Sequence, residues 1–142
     1  MVAKLGSSLV ALLKANHTNT RVIIPALKTI EFLFESMIGL ETLAPPDHPF
    51  TIELIQLIRA EVRAAPKDIH LVLAVLGPLA ASLTFEQPAR GDALALLMLL
   101  LCHRYPKIRL VTAETLFTAL NSVADEIGSA APQSICAYRP PW

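Results

Sequence analysis

Apolar residues recur along the chain at the three-to-four-residue spacing of one helix face, and no stretch alternates with the period of two typical of strands. Asn-Gly and Asp-Gly, the commonest hairpin turns, do not occur in the 142 residues. Six of the eleven prolines separate the periodic segments, where proline ends one helix or occupies the first turn of the next. The pattern therefore predicts six helices, at residues 3–15, 19–38, 49–64, 67–84, 89–103 and 106–126.

Within these helices the pattern also predicts burial. Pro25 and Pro78 fall inside helical patterns, so we expect a kink or a break at each. Residues 93–102 are apolar in every direction, which indicates cover on all sides and makes Cys102 a buried thiol. Helix 106–126 is apolar over more than a third of its circumference, so we expect one broad buried face, formed by Leu110, Ala113, Leu116, Phe117, Leu120 and Ala124.

An internal repeat distinguishes a stacked array from a closed bundle. Residues 9–23 align without a gap with residues 97–111, and in each copy an apolar helix ends, a short polar turn follows, and an Arg with two aliphatic residues opens the next helix. The offset of 88 residues is two periods of 44, within the ~40–47 residues of HEAT and armadillo helix pairs. The middle copy, at residues 52–83, matches less well. The sequence thus predicts an all-α, HEAT/armadillo-like solenoid of about three antiparallel helix pairs.

Three stretches resemble the C-terminal region of the tubulin-folding cofactor D family, a family of HEAT-repeat tubulin chaperones. They are residues 20–31 (TRVIIPALKTIE), residues 47–50 (DHPF) and, most specifically, residues 99–114 (LLLCHRYPKIRLVTAE). The resemblance extends over about residues 17–120. We divide the chain into a HEAT-like domain at 1–127 and a divergent, poorly ordered tail at 128–142, which departs from the further helix expected in the family.

The resemblance implies a non-catalytic interaction module that binds β-tubulin and serves folding and assembly of the tubulin heterodimer. It implies other tubulin-folding cofactors and an ADP-ribosylation-factor-like GTPase as partners, a contribution to stimulating GTP hydrolysis by tubulin, and a place in the cytoplasm, at microtubules. Two alternatives remain open from the residues: an unrelated helical-repeat scaffold or adaptor, and a helical bundle that binds an apolar ligand.

Charge and composition exclude several other classes. Twelve Lys and Arg balance twelve Asp and Glu, which gives no electrostatic reason to expect binding to nucleic acid or an anionic membrane. The longest apolar run has ten residues, whereas a membrane-spanning helix needs about 20. The N-terminal segment lacks a small-x-small cleavage site, so we do not expect a secretion signal. Two cysteines form no disulfide framework, which favours a reducing compartment.

Candidate chemistry is sparse. None of the four histidines has a His, Cys or carboxylate partner at a recognisable metal-ligand spacing, and the five glycines are too scattered for a phosphate-binding loop. Cys102 and His103 are adjacent and would point about 100° apart on a helix, so they cannot form a nucleophile–base pair alone. We therefore expect no catalytic residues, no metal site and no cofactor, and predict that the protein is not an enzyme.

Basic side chains provide the one positive indication of a binding surface. In a stacked array the turns between helices line one edge, and five cations lie in or near them: Arg59, Arg63, Lys67, Arg104 and Lys107. We call this set the basic ridge and predict that it meets an acidic partner surface. The alternative is that these charges only solvate the turns, with Glu61 and Asp68 close by as counter-charges. Reversing the charges of Arg59, Arg63 and Lys107 together should abolish partner binding if the basic ridge is the contact. Binding should be unchanged if these charges only solvate the turns.

The N-terminal helix predicts self-association. Terminal repeats normally present a polar outer face, yet this helix has four leucines and few charges. We therefore expect an exposed repeat end that associates with a second copy or with another protein segment.

Overall fold

The computed structural model of the chain describes residues 2–36, 49–85 and 87–130, and regular structure in these ranges is entirely helical. The predicted all-α class is confirmed, and each predicted helix is present with its ends shifted by at most four residues. Residues 128–130 of the predicted tail are part of the last helix, and the rest of the tail, from residue 131, lies outside the described residues. The helices are α1 (Val2–Ala15), α2 (Thr20–Glu35), α3 (Pro49–Ala64), α4 (Ile69–Ala81), α5 (Ala89–Leu101) and α6 (Pro106–Ala130), with a 3₁₀ turn (Ser82–Thr84) after α4.

Local sequence explains where these helices begin. Pro49 and Pro106 open α3 and α6, where a missing N–H has no intrahelical partner to lose. Asp68 is the N-cap of α4, and its carboxylate accepts a hydrogen bond from the backbone N–H of Leu71 at 3.1 Å. Pro25 and Pro78 interrupt neither α2 nor α4, so neither proline marks a break.

The helices pack in a regular order. The first helices of the three pairs contact one another in sequence, α1 on α3 and α3 on α5, and the second helices do the same, α2 on α4 and α4 on α6. Within each pair the two helices also touch. A single core lies between these two rows, and its fully buried side chains include Ile23, Leu27 and Ile30 of α2, Leu54, Ile55 and Ile58 of α3, Leu71 and Leu79 of α4, and Leu97 of α5.

Burial of α6 differs from the prediction. Leu110, Phe117 and Leu120 are 61%, 69% and 47% exposed, whereas Ile108 and Leu116 are buried. The reason is that α4 and α5 both lie against one side of α6, so they cover only part of its broad apolar arc. The apolar arc is present as predicted, but the expectation that it forms one buried face is wrong.

Cover of α5 is likewise one-sided. Met98 and Leu99 are more than half exposed, and Cys102, the C-cap of α5, is an exposed free thiol. The elements that α5 contacts meet the side that bears Ala93 and Leu97 and leave the outer side in solvent. The predictions of all-round cover for residues 93–102 and of a buried Cys102 are therefore wrong.

The exposed side of α1 bears fewer leucines than the composition of the helix indicates. Leu13 is buried against the core and Leu9 is half-buried, while Leu5 and Leu12 are 43% and 39% exposed. Two of the four leucines are thus exposed at this end of the molecule.

Thr18, in the turn between α1 and α2, has a left-handed backbone with φ of 68°. A β-branched residue is strained in this region, whereas glycine adopts it without steric cost. We expect Thr18→Gly to raise the free energy of unfolding by about 0.5–1 kcal/mol, after allowance for the greater backbone freedom of unfolded glycine. Urea denaturation checks this. The matched variant Thr29→Gly, in the middle of α2, should instead lower stability, and the same sign for both variants would contradict the strain argument.

Candidate interaction surface

The turns within the three helix pairs are linked to neighbouring elements by hydrogen bonds. His103, in the α5–α6 turn, donates from Nε2 to the carbonyl oxygen of Pro66 in the α3–α4 turn at 3.1 Å. The other ring nitrogen, Nδ1, accepts from the backbone N–H of Tyr105 at 3.2 Å. Together these two bonds define a neutral imidazole with its proton on Nε2. Two successive turns are therefore held side by side at one edge of the molecule.

Glu61 links the α1–α2 turn to α3. Its side chain is 6% exposed, and its carboxylate contacts Nδ1 of His17. Both carboxylate oxygens accept from the backbone N–H of Thr18, at 3.3 and 3.2 Å. A buried carboxylate requires such partners, because desolvation of an unpaired charge is costly. Glu61 therefore stabilises the strained turn, a role that the sequence analysis did not predict for either Glu61 or His17.

Four of the five residues of the basic ridge project into solvent. Arg63, Lys67, Arg104 and Lys107 are exposed, and in the described ranges none of them forms an ion pair. Arg104 lies over the ring of Tyr105, with 5.2 Å from its guanidinium carbon to the ring centroid. Because Lys67 follows Pro66 and Arg104 follows His103, the hydrogen bond between these two turns brings the two cations to the same edge.

Arg59 differs from the other members of the basic ridge. It is 34% exposed, its Nη2 lies 4.0 Å from Oδ1 of Asp92 on α5, and its Nε is buried without a hydrogen-bond partner. Arg59 thus links α3 to α5, away from the turns. A further cation, Arg109, donates from Nη1 to the carbonyl oxygens of His103 and Arg104 at 3.0 and 3.4 Å, and so fixes the α5–α6 turn.

The two carboxylates closest in sequence to the basic ridge are already engaged. Glu61 is turned inward to His17 and Thr18, and Asp68 caps α4. The two carboxylates that the sequence offers as counter-charges, Glu61 and Asp68, therefore bind other groups. Among the described residues, the exposed cations of the turns form no ion pair with either carboxylate.

A groove of about 490 Å³ lies on a different face, between α2 and α6 and above α4. Its floor is made by small residues of α4, and the carboxylate of Glu31 occupies the space that a Cβ on Gly77 would take. Glu35 and Glu114 stand at its sides. The lining thus combines carboxylates with small apolar side chains, among them Ala80, Ala81 and Ala119.

Two further properties bear on function. In residues 2–36, 49–85 and 87–130 no three His, Cys, Asp or Glu side chains are grouped so that they could hold a metal ion. Over the same ranges, no helix combines the length and the apolar character needed to cross a membrane.

The protein therefore belongs to the class of all-α proteins that are built from packed helix pairs. The α3–α4 and α5–α6 turns lie side by side along one edge, which we call the turn edge. Residues 1–70 of the 142 match the family model described as the C-terminal region of tubulin folding cofactor D. The family is of the chaperone type and non-catalytic. No solved structure matches the chain.

The match confirms the resemblance recognised from the residues. Of the three stretches on which the resemblance depends, residues 20–31 and 47–50 lie inside the matched range. Residues 99–114, which we considered the most specific, lie outside it. The family match therefore bears on α1, α2, α3 and the start of α4, and indicates a role like that of tubulin folding cofactor D.

Proposed function

We propose that the chain is a non-catalytic module that binds β-tubulin and assists folding and assembly of the tubulin heterodimer. The observation that supports this most directly is the family match over residues 1–70, because the family acts in tubulin folding. The proposal extends to partnership with other tubulin-folding cofactors and with an ADP-ribosylation-factor-like GTPase, to stimulation of GTP hydrolysis by tubulin, and to a cytoplasmic location at microtubules.

The architecture we propose is a HEAT/armadillo-like solenoid of three helix pairs. Its support is the packing order, in which α1, α3 and α5 form one row and α2, α4 and α6 form another. The first helices begin at residues 2, 49 and 89, so the pairs are 47 and 40 residues apart, within the ~40–47 residues of such repeats. A solenoid provides extended edges, and the turn edge described above is one of them.

The binding surface we propose is the basic ridge, with an acidic partner surface opposite it. Support comes from the four exposed cations at the turns and from the engagement of Glu61 and Asp68 elsewhere. Surface charges act over about 10 Å at moderate salt, so neighbouring turns attract a partner together. Arg59 contributes less to this surface because it pairs with Asp92.

The test is binding of the full chain to purified tubulin. We expect Lys67→Glu combined with Lys107→Glu to weaken binding at least tenfold and to reduce its dependence on salt. Both substitutions should leave the fold intact, because the two lysines are exposed and precede or open a helix, where an acidic residue is favourable. Biolayer interferometry at two salt concentrations measures both effects.

The matched control is Lys4→Glu combined with Lys28→Glu. These lysines are also exposed, lie on α1 and α2, and change the net charge by the same amount. We expect tubulin binding of this variant to stay within about twofold of the unmodified chain, since rim charges remote from an interface act weakly. Equal losses in both double variants would assign the effect to net charge and reject the basic ridge as the contact.

The second candidate is an unrelated helical-repeat scaffold or adaptor. The observation in its favour is that the family match stops at residue 70 and most of α4 through α6 follows it. Affinity purification of the tagged chain with mass spectrometry distinguishes the two. Enrichment of tubulin and its folding cofactors supports the first candidate, and a different stable partner with no tubulin supports the second.

A further inference from the structure

The groove between α2 and α6 has an unusual lining, which we analyse further here. Its volume of about 490 Å³ falls within the ~300–1,000 Å³ of clefts that bind a ligand. The polar side chains that line it are three carboxylates and four hydroxyls: Glu31, Glu35, Glu114, Thr84, Thr115, Thr118 and Ser122. We call this cavity the acidic groove. None of its residues belongs to the basic ridge.

The three carboxylates belong to both walls of the acidic groove. Glu31 and Glu35 lie one turn apart on α2, and Glu114 lies across the groove on α6. The carboxylate of Glu31 rests against α4, in the space that a side chain at Gly77 would occupy, so the glycine admits a negative charge to the floor. In the part of the chain that the structure describes, none of the three carboxylates forms an ion pair.

The four hydroxyls contribute further acceptors. Each of Thr84, Thr115, Thr118 and Ser122 donates its proton to a main-chain carbonyl oxygen three or four positions earlier, at 2.7–3.2 Å. With the proton engaged in this way, a hydroxyl oxygen offers the groove only its lone pairs. Ionised carboxylates likewise only accept. The described side chains of the lining therefore offer hydrogen-bond acceptors and no free donor.

Such a lining favours a ligand that carries positive charge and only donates. Lysine has three side-chain donors and arginine has five, and neither has a side-chain acceptor. A neutral polar group would bring acceptors of its own, which would find no donor in the lining. A bare metal ion fits less well, because the carboxylates of the described residues are not grouped closely enough to hold one.

We propose that the acidic groove is a docking site for a basic segment of a partner protein, which inserts at least two arginine or lysine side chains between α2 and α6. Two cations are needed because one would leave most of the charge of the three carboxylates unpaired. Hydrogen bonds between such cations and carboxylates are roughly twice as strong as bonds between neutral groups.

One end of this docking site is marked by a change in the lining. A second cavity of about 290 Å³ adjoins the acidic groove, since Glu31 and Gly77 line both. Lys28 and His70 also line this second cavity and introduce donors there. We therefore expect the basic side chains of the partner to lie on the α6 side of Glu31.

The test is titration of the ¹⁵N-labelled full chain with a capped peptide, Gly-Arg-Gly-Arg-Gly, followed by NMR. We expect saturable shifts of the backbone amide signals of the groove floor and wall, at Gly77, Ala80, Ala81 and Ala119. The matched peptide has citrulline in place of both arginines, which keeps the shape of the side chain but removes its charge. We expect this peptide to bind at least tenfold more weakly.

Charge-neutralising variants locate the contact. Glu31→Gln combined with Glu114→Gln should raise the Kd of the arginine peptide more than tenfold, because it removes two charges and puts donors into the lining. The matched control is Glu53→Gln combined with Asp92→Asn, which changes the net charge equally on α3 and α5, outside the groove. Its Kd should stay within about twofold, and circular dichroism should show equal helix content in all three proteins.

Four results would overturn the proposal. The arginine peptide could cause no saturable shift at the groove, or the citrulline peptide could bind equally well. Equal losses in the two double variants would assign binding to net charge. Binding that appears only after Arg139→Gln would mean that the chain's own C-terminal segment, and not a partner, occupies the groove. None of these results bears on tubulin binding by the basic ridge, which the variants leave unaltered.

Discussion

Replacing Phe34 with alanine is expected to lower the free energy of unfolding by about 3–5 kcal/mol, the largest effect of any substitution considered. Phe34 is 4% exposed near the end of α2 and stands edge-on to two other buried rings. Its ring centroid is 5.0 Å from that of Phe85 and 6.1 Å from that of Phe50. The substitution removes both aromatic contacts and leaves a cavity where α2, α3 and the segment after the 3₁₀ turn meet.

Phe32→Ala is the matched control, because Phe32 lies two residues earlier on the same helix and is 70% exposed. We expect it to change stability by less than about 0.5 kcal/mol. Guanidinium denaturation followed by circular dichroism measures both variants. Similar losses in the two would mean that the three-ring cluster does not stabilise this end of the molecule.

Glu61→Ala is expected to lower the free energy of unfolding by about 2 kcal/mol. Hydrogen bonds to a charged acceptor contribute about 1.5–3 kcal/mol, and the loss is partly offset because a buried charge no longer has to be desolvated. The backbone N–H of Thr18 loses its acceptor, and the left-handed turn between α1 and α2 loses its link to α3. Thermal and urea denaturation check the size of the effect.

The control for this prediction is Glu53→Ala on the same helix. Glu53 also accepts from a cation, Lys14 at 3.1 Å, but both side chains are about half exposed. An exposed ion pair contributes about 0–1 kcal/mol, so the control should cost clearly less than Glu61→Ala. An equal or larger loss for Glu53→Ala would contradict the structural role given to Glu61.

The helices could be predicted because their signals are local. α3 begins and ends where the sequence predicts, at Pro49 and at Ala64. Proline is favoured in a first helical turn, and Pro66 biases the residue before it away from helical geometry. The end of α6 is predicted less accurately. The helix continues to Ala130, four residues past its predicted end, because no proline interrupts it before Pro132.

Burial could not be predicted in the same way. The apolar residues of α6 indicate which side of the helix avoids water, but not whether a neighbour is present to cover each part of it. Phe117 and Leu116 are adjacent in sequence and both apolar, yet only Leu116 faces α4 and α5. The expectation of a buried Cys102 fails for the same reason, because an apolar run does not by itself place a neighbour on every side of the helix.

The contact between Glu61 and His17 could not be predicted from the sequence, because the two residues are 44 positions apart. A local signal was nevertheless present. Leu54, Ile58 and Glu61 follow the spacing of one helix face, so the sequence has a carboxylate at an apolar-face position. A charge at such a position indicates a buried partner.

The hydrogen bond between His103 and Pro66 has a consequence for recognition. It ties the imidazole of His103 in one turn to the main-chain carbonyl of Pro66 in the preceding turn, so the two turns are held side by side. The backbone positions that bear Lys67 and Arg104 are therefore close together. On the role proposed for the basic ridge, this chain of zero formal net charge would select acidic surfaces by the placement of their negative groups and not by their total number.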